Sequence, residues 1–196
     1  MSIVTVEGNV PDNGHFTDQE CDQIIGFSMT FTPERGDIEK SEMDARRKLR
    51  SVESYRVPWN EKSAWIFERL IGISRAANDN FFGFDLPGLY SAYKHRSLLH
   101  YVEVLRYGPG DHYVRHMDYG PIAVTRKLSL ITQLSKPDDY EGGEVLIDMG
   151  DVKPFSVSRD RGAHTIFPSF LLHEVMPVTR GERWAMVAWM EGPPFR

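Results

Sequence analysis

Tyr107-Gly108-Pro109-Gly110-Asp111-His112-Tyr113-Val114-Arg115-His116-Met117-Asp118 is the stretch on which the fold and chemistry of this chain turn. Gly108-Pro109-Gly110 opposes a helix, so the residues after it are expected in a strand. Side chains two apart on a strand share a face. His116 and Asp118 can then reach one ion together, while Met117 turns away into packing. His112 and His116, four apart, would share a face only on a helix. The His-x-Asp spacing alone is weak evidence in a chain with 7 His and 28 Asp and Glu, because a surface imidazole bonded to an acid gives the same pattern.

A third ligand has two candidates, His164 and His173. His173 lies in Phe170-Leu171-Leu172-His173-Glu174-Val175, and Thr179-Arg180-Gly181-Glu182 reads as a turn before the strand that starts at Arg183. A hairpin about that turn would set His173 and Arg183 near each other across the strands. An imidazole on a metal with a guanidinium further in would suit a co-substrate with a carboxylate tail, since the Arg fork accepts a carboxylate with two parallel hydrogen bonds. His164 has no such companion and reads as a structural or substrate-side residue. Two imidazoles and one carboxylate with open positions suit iron(II) oxygen chemistry. Zinc could take the same ligands, but the chain has no helical HExxH motif and Arg183 would be left unexplained.

Outward from this stretch the sequence divides. Leu99–Tyr107, Leu128–Ser135, Glu144–Asp148, His164–Phe167, Phe170–Val175 and Arg183–Met190 are short β-prone runs separated by Gly, Pro and Asp. Upstream, Thr17-Asp18-Gln19-Glu20 has the form of a capping box and opens a helix over about 17–30. A second helix is expected over about 61–80, with Ile66, Leu70, Ile73 and Ala77 on one face. Residues 33–58 read as a polar loop that rejoins regular structure near Val52–Val57. Helices followed by many short strands predict an α+β, mainly β domain. It spans 1–196, with supporting helices and a lid loop over 1–98 and a catalytic core over 99–196.

Composition narrows the function classes. At 196 residues with 41% hydrophobic and 26% charged residues, the chain is sized for one globular unit. A single cysteine, Cys21, rules out an internal disulfide and a thiolate-rich zinc site, and fits a reducing compartment. The first residues lack a basic stretch followed by an apolar one, and no run is long enough to cross a bilayer. A cytoplasmic location without membrane association is therefore expected. The net charge of −5 disfavours nucleic acid as a partner, and the run Arg46-Arg47-Lys48-Leu49-Arg50 reads as a solvated face.

Taken together, these residues resemble the 2-oxoglutarate/iron(II) dioxygenases of the prolyl 4-hydroxylase type. The resemblance is carried by Tyr107, Gly110, Tyr113, His116 and Asp118, by His173 with Arg183 ten residues later, by Asp138-Asp139-Tyr140-Glu141-Gly142-Gly143-Glu144, and by Thr179–Trp184. It implies a double-stranded β-helix, or jelly-roll barrel. It implies His116, Asp118 and His173 as iron ligands and Arg183 as partner of the distal carboxylate of 2-oxoglutarate. Tyr107 would support that carboxylate, Tyr113 would lie beside the iron, and Gln133 would make a polar contact from the strand Lys127–Leu134. Phe155, Phe167, Trp184 and Trp189 are candidates for apolar walls. The cofactor set implied is iron(II), 2-oxoglutarate and oxygen, with ascorbate as an optional reductant. Related halogenases leave the carboxylate position small, so Asp118 favours hydroxylation. The motifs fix the reaction more closely than the substrate: a prolyl or other peptidyl side chain is favoured over a free amino acid, nucleobase or other small molecule. A metal-binding jelly roll without turnover is the competing class. The 33–58 loop and Ser91–Arg96 are expected to cover the site; their basic residues read by default as solvated surface and could favour an acidic peptide or a phosphate-bearing partner.

Overall fold

The computed structural model of the chain describes residues 3–6, 15–35, 49–86, 101–150 and 153–195. The run 46–48, the segment 91–96 and residues 99–100 lie outside them. In chain order the elements are β1 (Val4–Val6), α1 (Asp18–Ser28), β2 (Glu34–Arg35), β3 (Arg50–Ser51), β4 (Glu53–Pro58) and α2 (Ala64–Ala77). The core strands follow: β5 (Tyr101–Tyr107), β6 (His112–His116), β7 (Arg126–Gln133), β8 (Tyr140–Gly142) and β9 (Val145–Ile147). The last are β10 (Phe155–Ser156), β11 (His164–Pro168), β12 (His173–Val175), β13 (Val178–Gly181) and β14 (Arg183–Glu191).

The strands form a major sheet in the order β1-β11-β7-β14-β5-β4-β2 and a minor sheet in the order β10-β9-β12-β6-β3, with β13 and β8 as a separate ribbon. The two sheets face each other as a double-stranded β-helix, in agreement with the expected fold class. Strand parity sorts the core into two layers. On β14, Trp184, Met186, Ala188 and Met190 join Val102 and Val104 of β5 in a cluster with the helices. The opposite parity, Leu105 and Tyr107 of β5, Ile131 of β7 and Val187 of β14, faces the minor sheet. The interior of the barrel is therefore built from odd-numbered residues of its three central strands.

The helices are set as the sequence predicts. Thr17 Oγ1 accepts the Glu20 N–H at 3.2 Å and Glu20 Oε2 accepts the Thr17 N–H at 2.8 Å. Glu20 also takes both arms of Arg69 on α2, at 2.7 and 2.8 Å, which ties the two helices together. The buried face of α2 is Ile66, Phe67, Leu70, Ser74 and Ala77. Ile73, expected in that stripe, is only partly buried, and Ser74 takes its place by donating its hydroxyl to the Leu70 carbonyl at 2.6 Å. A π-helical turn, Asn78–Phe82, follows and ends at Gly83 with φ 64°.

Three expectations are corrected. Among its described residues the region 33–58 carries β2 and β3 as well as β4, the return to order expected near Val52–Val57. Thr179–Glu182 is not a hairpin turn: Val178–Gly181 is a strand paired with Tyr140–Gly142. His173 and Arg183 consequently lie in different sheets. His173 is paired with His116 and Ile147, and Arg183 with Tyr107. Local turn chemistry suggested pairing between sequence neighbours, but burial of both faces of β14 places it between β5 and β7 instead. Met117 does not turn into packing either; it is 50% exposed.

Because Leu70 is fully buried beneath the major sheet, Leu70→Ala is expected to destabilise the fold by about 3 kcal/mol. Urea unfolding measures this, and a loss below about 1 kcal/mol would show that α2 does not complete the core.

Candidate metal centre and its cleft

His116 and His173 stand directly opposite each other where β6 pairs with β12. β6 ends at His116, so Asp118 is delivered by the loop after it rather than by an extended strand. That loop is fixed because the N–H groups of Asp118 and Tyr119 both donate to the Ser169 carbonyl, at 3.0 Å each. The three side chains converge, with their candidate ligand atoms all within 4.8 Å of one another. Asp118 Oδ1 lies 3.7 Å from His116 Nε2, and Oδ2 lies 3.4 Å from His173 Nε2. Adjacent donors about 2.1 Å from one ion would sit roughly 3 Å apart, so a small contraction would seat a metal.

The hydrogen bonds behind the ligands decide their protonation. His116 Nδ1 is 2.8 Å from the Val114 carbonyl and His173 Nδ1 is 3.0 Å from the Leu171 carbonyl. A carbonyl can only accept, so each Nδ1 carries a proton, and in the neutral imidazole this tautomer leaves the lone pair on Nε2. Burial, and then the neighbouring His173, push the His116 imidazole down to about 4. Burial opposes ionisation of Asp118, but His173, the Ser129 hydroxyl and His116 outweigh it and hold the carboxyl below its ordinary value. At neutral pH the set is thus a neutral imidazole beside a carboxylate, the states that bind a divalent cation. Ser129 donates to Asp118 Oδ2 at 2.6 Å and lies 3.0 Å from Ser169 Oγ.

The triad opens into a cleft of about 480 Å³. Its wall on the major sheet is a series of rows read across the strands. Ser129 and Trp189 form the row at the metal, followed by Ile131, Val187 and Glu103, then by Gln133, Ala185 and Leu105, and finally by Arg183 and Tyr107; Trp189, Ile131, Val187, Glu103, Leu105 and Tyr107 line the cleft itself, and Arg183 and Gln133 lie behind it. Arg183 is 1% exposed. Its Nη2 donates to Gln133 Oε1 at 3.0 Å, its guanidinium carbon is 5.4 Å from the Tyr107 ring centroid, and its Nε has no hydrogen-bond partner. Among the described residues no carboxylate pairs with it. A buried charge without a counter-ion costs several kcal/mol, so an anion reaching this guanidinium would be stabilising. Gly143, at φ 65°, makes room: a Cβ there would lie 3.1 Å from Arg183 Cδ. Burial pushes the Tyr107 hydroxyl up to about 12, so it remains a neutral donor.

The sequence-derived residues fall into two groups. His116, Asp118 and His173 meet at one point, with the Tyr113 ring stacked on His116 at 3.5 Å between centroids. Arg183, Tyr107 and Gln133 meet at another. His164 is fully buried on the helix side, 2.8 Å from Thr132 Oγ1, and takes no part in the site. Of the proposed apolar walls, Trp189 lines the cleft and Phe167 touches His173 at 4.9 Å between centroids. Trp184 faces outward and stacks on Tyr55, and Phe155 sits on the minor sheet's edge strand. Sequence reasoning missed Ser129, Ser169, Glu103 and Arg126. Ser129 shares parity with Gln133 on one strand, which is the signal that could have found it.

Residues 102–191 match the 2OG-Fe(II) oxygenase superfamily. The chain is 39% identical over 89 residues to a PKHD-type hydroxylase of Hyphomonas neptunium, covering 43% of this chain and 39% of the relative. A PKHD-type hydroxylase of Picosynechococcus is 39% identical over 87 residues, covering 44% and 39%. The chain thus spans about two fifths of the length of the curated relatives it matches. Among solved structures, a Pseudomonas putida prolyl-4-hydroxylase superposes with a TM-score of 0.68 at 18% identity, over 97% of this chain and 92% of that one. A Trichoplax adhaerens prolyl hydroxylase, in complex with a hypoxia inducible factor oxygen degradation domain peptide, gives 0.71 at 14%, over 96% and 83%.

Since the Ser129 hydroxyl orients Asp118, Ser129→Ala is expected to weaken divalent-metal binding by about 10- to 100-fold without unfolding the chain. Metal titration by calorimetry tests this, and wild-type affinity in the variant would remove Ser129 from the site.

Proposed function

We propose that the chain, whose residues 102–191 match the 2OG-Fe(II) oxygenase superfamily, is an iron(II)- and 2-oxoglutarate-dependent hydroxylase acting on a peptidyl side chain, a prolyl residue foremost, with release of succinate and CO2. The observation that carries this reading is the pairing, in one barrel, of a two-imidazole, one-carboxylate triad with a buried guanidinium whose Nε has no hydrogen-bond partner and which pairs with no carboxylate among the described residues. A metal-binding module without turnover would have no use for the second element. The peptide preference draws support from the likeness in fold to the Trichoplax prolyl hydroxylase with its bound peptide. We take 1–196 as one catalytic unit, with 99–196 as its core and 1–98 in support.

His116, Asp118 and His173 would hold the metal through Nε2, a carboxylate oxygen and Nε2, with Ser129 setting the carboxylate. Iron(II) with 2-oxoglutarate and oxygen supplies the oxidising power for an unactivated C–H bond. Arg183 would take the distal carboxylate of 2-oxoglutarate, with the Tyr107 hydroxyl as a second donor and Gln133 holding the guanidinium in place. Leu105, Ile131 and Val187 line the stretch between these two ends and exclude water from it, which strengthens the charge pair at Arg183. Tyr113, flat against His116, fixes the plane of that imidazole and borders the space left for substrate.

Arg183→Ala should cost about 2–3 kcal/mol in 2-oxoglutarate binding, the scale of a charge-assisted pair; an unchanged dissociation constant would contradict the assignment. His116→Ala or Asp118→Ala should abolish succinate release while far-ultraviolet dichroism stays native. Full turnover by either variant with added iron would refute the triad.

A further inference from the structure

The chain carries a net charge of −5, yet its cleft is lined by Arg50, Arg56 and Arg126 against Glu103 and the metal-facing Asp118. Glu103 stands on the inner face of β5 and is 6% exposed. Arg56 is its cross-strand partner on β4. The carboxylate is approached from two sides, by Arg50 Nη2 at 3.3 Å and by Arg56 Nε at 3.7 Å. Both contacts exceed the roughly 2.7–2.9 Å of a well-made charge-assisted bond. One carboxylate between two guanidiniums leaves a positive charge over, and Arg50 Nε is buried with no hydrogen-bond partner. The other partner of Arg56 is the exposed Glu34, at 3.5 Å, a weak surface contact that an incoming acid could displace.

We propose that Arg50 and Arg56, bridged by Glu103, form a subsite for an acidic side chain of the peptide substrate. This rests on the peptide-hydroxylase reading above and adds a sequence preference to it. The geometry sets the spacing. β4, which carries Arg56, lies two strands from β14, which carries Trp189 beside the metal row; at about 4.8 Å per strand, with one row of about 6.8 Å along the strands, that is roughly 12 Å, or about three to four residues of extended peptide. The opposite lip is apolar, with Met117 half exposed and Ile122 fully exposed on the same cleft, which suits the body of an extended chain better than a small acid. A cationic cleft in an acidic protein also steers anionic partners toward it and repels basic ones.

The test uses short peptides centred on one proline, with Glu, Gln or Lys about three to four residues to either side. Binding is measured by fluorescence anisotropy to the protein held with iron(II) and 2-oxoglutarate in the absence of oxygen. The expected order is Glu tightest and Lys weakest, with a gap on the order of tenfold at low salt that narrows as salt screens it. Arg56→Glu, at an exposed position, should invert the order. Equal binding of the Glu and Lys peptides, a gap insensitive to salt, or an unchanged order in Arg56→Glu would overturn the subsite. N-acetylglutamate binding as tightly as the Glu peptide would assign the anion to a small molecule and overturn the peptide preference. Dialysis of the same samples reports retained 2-oxoglutarate, so failure of the co-substrate reading is seen separately from failure of the charge ranking.

Discussion

A guanidinium sealed between two sheets, with no counter-ion among the described residues, is the constraint around which this barrel is arranged. Arg183 is among the largest fully buried side chains, and its hydrogen bond to Gln133 satisfies only part of the fork. A fold keeps such a charge at a cost of several kcal/mol, and here the surroundings are shaped to present it: Gly143 withholds a Cβ, and Tyr107 offers a hydroxyl that stays protonated. The metal triad stands a few rows away on the same interior. Neither feature alone specifies the chemistry, since buried ion sites and imidazole clusters occur in many settings. On the proposed function they would hold the two ends of a short dicarboxylate that chelates a metal, with Leu105, Ile131 and Val187 between them.

Strand parity is what brings these groups into one column. Tyr101, Glu103, Leu105 and Tyr107 all point inward from β5, as do Ser129, Ile131 and Gln133 from β7, and Arg183, Ala185, Val187 and Trp189 from β14. The even positions of the same strands build the layer under α1 and α2. A one-residue slip of β14 would move Arg183 into the helix layer and Trp184 into the barrel. The helical layer therefore serves the site indirectly: by burying the even face it fixes the register that aims the odd one.

Much of this was legible in the sequence because it is local. The capping box at Thr17–Glu20, the apolar face of α2 around Ile66 and Leu70, and the His116–Asp118 spacing each depend on residues within a turn or two of one another. What could not be read depends on pairing between distant segments. His173 was placed in a hairpin with Arg183 because Arg180-Gly181 looks like a turn, whereas its neighbours in space are His116 and Ile147. Ser129 and Ser169 reach the site only once β7 and β11 are side by side. Glu103 has a legible signal: a charged residue at the same parity as Leu105 and Tyr107 must face the interior, and a charge there needs partners, which Arg50 of β3 and Arg56 of β4 supply.

The central claim is that one centre binds both metal and 2-oxoglutarate through the three converging side chains. It is tested most directly by adding iron(II) and then 2-oxoglutarate to the protein without oxygen and recording the weak visible charge-transfer band of the chelate. The account predicts the band in the wild-type protein and its loss in His173→Ala. No band with metal demonstrably bound, or a band that survives in His173→Ala, would contradict it.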